Sequence, residues 1–169
     1  MGHARGKVVL ANKSNQRSPN TVSTDTELRQ ANIALAERVI KTCGNLRPRD
    51  VERDFAEDAV LALPYAPAGT PREIAGRTAI IDYISLLADY IPQGIFVDHR
   101  FDTLAKDPGH VIAWYAASTQ LLTTGREYAN TYVTEIEIRD GKVTRYTEYF
   151  DPINWLVAQG GEITAPPGR

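Results

Sequence analysis

The chain has a single cysteine, Cys43, among 169 residues, so it can form no disulfide within itself. A reactive thiol needs an electropositive setting, and Cys43 lies in an apolar helical stretch, so it reads as a core residue. Histidine is also scarce. His3, His99 and His110 are too dispersed, with one cysteine, to compose a metal site. No apolar run approaches the roughly 18 residues of a membrane span, and the run Val8 to Ala11 is too short for a signal-peptide core. A soluble protein in the cytoplasm is expected, with no membrane partner. The net charge is −2, with Lys and Arg scattered among Asp and Glu. That argues against the basic patch of a nucleic-acid binder. No GxGxxG, P-loop or GxSxG element is present. The enzymatic option left is cofactor-free: proton transfer, isomerisation, aldol-type cyclisation or acid-assisted ring opening.

The length suits one domain with a full core. Residues 1–24 are polar and aperiodic and read as a flexible arm, and residues 159–169, rich in Gly and Pro, read as a flexible tail. Between them, 25–158 forms the single domain. The spacing of Leu28, Ala31, Ile33, Leu35, Ala36, Val39 and Ile40 predicts a helix. Thr24 and Glu27 have capping-box spacing at its start, and Gly44 ends it. A short helix follows Pro48. A strand is expected over Ala59 to Tyr65, a loop over Ala66 to Arg72, and a third helix from about Gly76 to Tyr90. Four long strands follow: Ile95 to Leu104, Val111 to Leu122, Glu127 to Ile138 and Val143 to Phe150. Their connections are short, as in an antiparallel meander. Helices first and strands later is the α+β pattern.

The most telling stretch is YANTYVTEIEIRDGKVTRYTEYFDPINW, Tyr128 to Trp155. It places one acid, Glu148, on a strand among aromatics, where a carboxylate is costly unless it meets a partner, water or ligand. The turn at Asp140-Gly141 decides which way Glu148 points. A two-residue turn pairs Ile138 with Val143 and sets Glu148 opposite Val133. A three-residue loop with a bulge at Gly141 pairs Ile138 with Lys142 and sets Glu148 opposite Tyr132. A one-residue shift exchanges the faces of a strand. The second register is preferred because it sets Glu135 opposite Arg145. It also gathers Asn130, Tyr132, Thr134, Tyr146, Glu148 and Phe150 on one face, taken as the interior. In the first meander strand, Val97, His99 and Phe101 share the expected inner face. Val111 to Leu122 is apolar on both faces, so Trp114 is a candidate for either the pocket or a subunit contact. Tyr65 is a candidate for the pocket mouth. Tyr83, on the third helix, has a ring that can point inward.

The order and spacing of several elements carry a family resemblance. These are Gly76-Arg77 opening the third helix, Asp107-Pro108-Gly109-His110 before a strand, Tyr128-x-Asn130, Asp140-Gly141-Lys142-Val143, and Glu148 followed by an aromatic. Over roughly residues 25–158 the chain resembles the SnoaL-like group of the nuclear transport factor 2-like (ketosteroid isomerase-like) superfamily, and within it the phenazine-biosynthesis A/B proteins. The resemblance implies a cone-shaped, curved antiparallel sheet wrapped around N-terminal helices and enclosing a pocket. It also implies a homodimer formed through the outer face of the sheet. It further implies that Glu148 protonates and deprotonates a substrate. Where those proteins carry a catalytic His on the third helix, this chain has Tyr83, a phenol that normally donates a hydrogen bond and does not shuttle protons at neutral pH.

The expected function is a cofactor-independent isomerase, cyclase or condensation catalyst for an aromatic or polyketide-like metabolite. Glu148 would move the proton, with His99 a possible partner base. Tyr83, Asn130 and Tyr132 would hold the substrate in a pocket completed by Tyr146, Tyr65, Phe150 and Trp114. Two alternatives stand beside it. One is an epoxide hydrolase or epoxide-opening cyclase, which in limonene epoxide hydrolase uses an Asp-Arg-Asp set not found facing inward here. The other is a non-catalytic small-molecule-binding protein.

Overall fold

The computed structural model describes residues 19–164. In chain order the elements are α1 (Pro19–Gly44), α2 (Pro48–Asp54), β1 (Phe55–Ala62), β2 (Glu73–Ala75), α3 (Arg77–Leu87), β3 (Phe96–Leu104), β4 (Asp107–Gln120), β5 (Glu127–Arg139), β6 (Lys142–Phe150) and α4 (Pro152–Ala158). The helix α1 starts earlier than the Thr24 capping signal suggests, at Pro19, whose preset φ suits a first helical turn. The arm reading for 1–18 and the tail reading for 165–169 fall outside the described residues.

One six-stranded sheet runs in the order β2-β1-β6-β5-β4-β3. The four-strand meander is antiparallel as expected. The sheet is nevertheless mixed, because β1 lies parallel to β6. The short β2, in residues given no element between the expected loop and the third helix, pairs antiparallel with β1 through Leu61↔Ile74. The glycine before α3, Gly76, sits at φ 91 with its N–H bonded to the Ala59 carbonyl at 2.8 Å. That left-handed position, which a side chain would strain, turns the chain from β2 straight into α3.

Helix α1 packs across β3 and β4, and α3 packs on β1. Val39, Ile40, Phe55, Ile80, Val111, Ile136 and Tyr146 are fully enclosed between these layers. The concave face of the curved sheet thus holds the core, and its convex face carries Val97, Trp114 and Val133 outward.

The β5–β6 hairpin differs from the expected winding. Asp140 and Gly141 have φ of 51° and 69°, and Arg139 pairs with Lys142, which is a two-residue type I′ turn. The extra residue enters one pair later. Ile138 faces Val143, but Glu137 faces Arg145, so β6 bulges at Thr144, whose hydroxyl donates to the Glu137 carbonyl at 3.2 Å. Glu148 therefore lies opposite Thr134, two residues from the expected Tyr132. Since side chains alternate with period two, a two-residue error leaves the face unchanged. Glu148 shares the concave face with Tyr132, Thr134 and Tyr146. The expected Glu135–Arg145 pair does not form: Arg145 opposes Glu137 and reaches Glu73 at 3.6 Å, while Glu135 meets His110 at 3.3 Å.

A second bulge corrects the reading of β3. Val97 pairs with Ala116 but Arg100 pairs with Trp114, and Asp98 takes φ 56. The extra residue rotates Val97 outward and Phe96 inward, leaving His99 and Phe101 on the concave side.

Candidate functional site

The concave face encloses a cavity of about 100 Å³ of free volume. Strands β5 and β6 supply Tyr128, Tyr132, Tyr146, Glu148 and Phe150. Helix α1 supplies Cys43, α3 supplies Tyr83, Ile84 and Leu87, and α4 closes one side with Trp155. Leu46, Leu61, Leu63, Thr70, Ile91, Ile95 and Phe96 complete the wall. Helix α4 is held at its start by Asp151, whose side chain accepts from the Ile153 N–H at 2.8 Å.

Glu148 is anchored through one oxygen. The Tyr115 hydroxyl donates to Oε2 at 2.6 Å and the Tyr146 hydroxyl donates to the same atom at 3.0 Å. Both phenolic hydrogens being used there, the Tyr115 oxygen accepts from the Thr134 hydroxyl at 2.8 Å. Thr134 is fully buried. Among the described residues Oε1 accepts no hydrogen bond. Burial pushes the Glu148 carboxyl above the ordinary carboxylate range, and the two phenol bonds pull back only part of that rise. When the acid is protonated, the hydrogen belongs on Oε1, because Oε2 is already occupied by two donors.

A second polar pole is built from Tyr128, Asn130 and Tyr132. The Asn130 carbonyl oxygen accepts from the Thr131 N–H at 3.0 Å and the Asp151 N–H at 3.2 Å. This fixes its amide nitrogen as donor to the Asp151 carbonyl at 2.9 Å and to the Tyr128 hydroxyl at 3.2 Å. Tyr128 and Tyr132 share a short hydrogen bond. That bond consumes one phenolic hydrogen, and Asn130, already donating, cannot take the other. One hydroxyl hydrogen of the pair is left for a ligand. Burial raises the Tyr128 phenol to about 12 and lifts Tyr132, Tyr83, Tyr115 and Tyr146 above the usual phenol value as well. All five are neutral donors at pH 7.

The structure brings Glu148, Tyr83, Tyr132, Tyr146 and Phe150 to one cavity. Four other candidates lie elsewhere. Asn130 does not line the cavity, because its amide is spent stapling β5 to the β6–α4 junction. His99 is on the concave side but under α1, stacked near Phe101 and Tyr115 at 6.2 Å each. Burial and the nearby Lys41 charge lower its pKa, against the opposing pull of Glu37 and Asp98. Tyr65 falls in the turn after β1, where the Ala66 N–H bonds the Leu63 carbonyl at 3.0 Å. The turn throws its ring outward onto Tyr149, with centroids 5.7 Å apart. Trp114 is on the convex face with the Arg100 guanidinium 4.1 Å from its ring. Three contributors escaped the sequence reading: Tyr115, Cys43 and Trp155. The signal for Tyr115 is its register, since β4 pairs Tyr115 with Tyr132 and so must share its face. Cys43 holds a neutral thiol, its pKa pushed up to about 12 by burial and the Glu148 charge. Among the described residues no cluster of three or more His, Cys, Asp or Glu is placed to hold a metal ion.

The SnoaL-like domain family matches residues 36–146 of the chain. YesE of Bacillus subtilis (strain 168), an uncharacterized protein, is 37% identical over 109 residues, which is 63% of this chain and 72% of that one. The phenazine biosynthesis protein PhzB of Pseudomonas fluorescens is 29% identical over 143 residues, covering 82% of this chain and 86% of that one. The crystal structure of the phenazine biosynthesis-related protein phzb2 from Pseudomonas aeruginosa superposes with a TM-score of 0.70 at 22% identity, over 87% of this chain and 96% of that one. The cone is the NTF2-like fold.

Proposed function

The chain belongs to the SnoaL-like domain family, and from that premise we propose that it is an acid/base catalyst of isomerisation or cyclisation that works with its own side chains on a small ring-shaped metabolite. The observation that carries this is the tethering of Glu148. Its Oε2 is fixed by Tyr115 and Tyr146 while Oε1 stands free in an apolar cavity. An acid whose pKa is raised toward neutrality both accepts and returns a proton. In the proposed step, ionised Glu148 takes a proton from a carbon next to a carbonyl. The charge developing on the carbonyl oxygen is met by the unspent hydroxyl hydrogen of the Tyr128–Tyr132 pair, or by Tyr83. Oε1 then returns the proton to another atom of the same enolate. Atoms balance without an outside reagent.

Tyr83 serves as a donor only. Burial, the Glu148 charge and Tyr128 all hold its phenol protonated. The proton relay of this site therefore runs through one acid. PhzB and phzb2, both described as phenazine-biosynthetic, support a biosynthetic role. We further propose a homodimer through the convex face, where Tyr65, Trp114, Val133 and Tyr149 line an open apolar groove; sedimentation at micromolar concentration tests it.

The test of the acid/base reading is deuterium exchange. Cyclic ketones such as 3-cyclohexen-1-one, incubated in D2O with the protein and followed by NMR, should gain deuterium beside the carbonyl or shift their double bond. Glu148→Gln should reduce that rate by about 100-fold or more, the scale of a lost general acid/base. Equal rates in both proteins would overturn the assignment.

A further inference from the structure

The cavity wall is unusual in its charge inventory. Among the described lining residues it has one acid, Glu148, and no Lys, Arg or His. The basic residues Arg38, Lys41, Arg47 and Arg53 belong instead to a separate open groove over α1 and α2. There Arg38 and Arg53 are bound to Asp54, and Lys41 to Glu37. A carboxylate or phosphate entering the cavity would leave water, meet no counter-charge, and stand beside an acid. Besides Glu148 Oε1 and the Thr70 hydroxyl, the polar groups available are donors: the spare hydroxyl hydrogen of the Tyr128–Tyr132 pair and the Tyr83 hydroxyl. They suit an acceptor such as a carbonyl oxygen.

The ring surfaces of Phe96, Tyr132, Phe150 and Trp155 favour a flat apolar body.

From this charge inventory and the ring surfaces of the wall we infer that the cavity selects an uncharged, ring-bearing carbonyl compound and rejects carboxylates. The inference rests on the acid/base reading of the same cavity and narrows its substrate class.

Acetophenone and benzoate are matched in size and differ in charge at pH 7.5, where a benzoic carboxyl is fully ionised. Calorimetric titration of the full chain with acetophenone and benzoate reads that discrimination. Acetophenone should bind at least tenfold more tightly than benzoate. Benzoate binding as tightly as acetophenone, or no acetophenone binding, would overturn the inference. The two readings fail separately. Deuterium exchange that survives Glu148→Gln removes the catalytic role and leaves the affinity ratio standing. A ratio near one, with exchange lost in that variant, removes only the substrate class.

Discussion

The Tyr115 hydroxyl reaches Glu148 Oε2 at 2.6 Å although the two residues sit on strands separated by β5. Strand curvature makes the reach possible: Tyr115 pairs with Tyr132, Glu148 pairs with Thr134, and the ring crosses the diagonal between them. Tyr115 is thus the buried link between the Thr134 hydroxyl and the acid.

Removing that link should act on both partners. Tyr115→Phe deletes a bond that lowers the Glu148 pKa, so the carboxyl should titrate at higher pH than in the wild type. It also leaves the fully buried Thr134 hydroxyl without its acceptor, at a cost of about 1–3 kcal/mol. Urea unfolding should show that loss, and a carboxyl titration should show the upward shift. A Glu148 pKa unchanged in Tyr115→Phe would contradict the linkage.

The raised Glu148 pKa carries a defined sign for stability. Its protonated form is favoured in the fold, so its contribution is fully present below the unfolded carboxyl value and is lost as pH rises through the folded value. Glu148→Gln cannot titrate. The stability of the wild type relative to Glu148→Gln should therefore fall as pH rises from the ordinary carboxylate range toward neutrality, read by unfolding midpoints across that window. A difference that stays flat, or that grows in favour of the wild type, would count against a destabilised carboxylate.

Asn130 is assigned to structure, and its substitution separates structure from chemistry. Asn130→Ala removes four hydrogen bonds, two of which join β5 to Asp151 at the start of α4 while the other two lie within β5. Leaving buried backbone and phenol partners unmet should lower stability by about 1–3 kcal/mol. Substrate discrimination at the ring should persist in the folded fraction. Unchanged stability would return Asn130 to the list of ligand-facing groups.

Much of the fold was legible because period and punctuation agree. The β-branched and aromatic runs, broken by Thr124-Gly125 and Asp140-Gly141, mark the strands to within a few residues. The order of helices and strands led to the cone. The facing of Glu148 was legible through parity alone: the turn type and the site of the bulge were both misjudged, and the two errors together moved the pairing by two residues and kept the face. Where one bulge stood unseen, in β3, the face of Val97 came out reversed. Bulges are set by local backbone geometry that alternation of apolar residues does not encode. Tyr115 was hidden for a related reason, because β4 is apolar on both faces and only its pairing with β5 reveals which side is inside. Tyr65 and Trp114 were assigned by aromatic character, which a convex groove and a pocket share.

The most direct measurement is a carbon-detected NMR titration of the Glu148 side-chain carboxyl, assigned by comparison with Glu148→Gln. The account predicts a midpoint above that of an ordinary glutamate. A midpoint at or below the ordinary carboxylate value would mean a plain buried ion held by two tyrosines, with no proton to give.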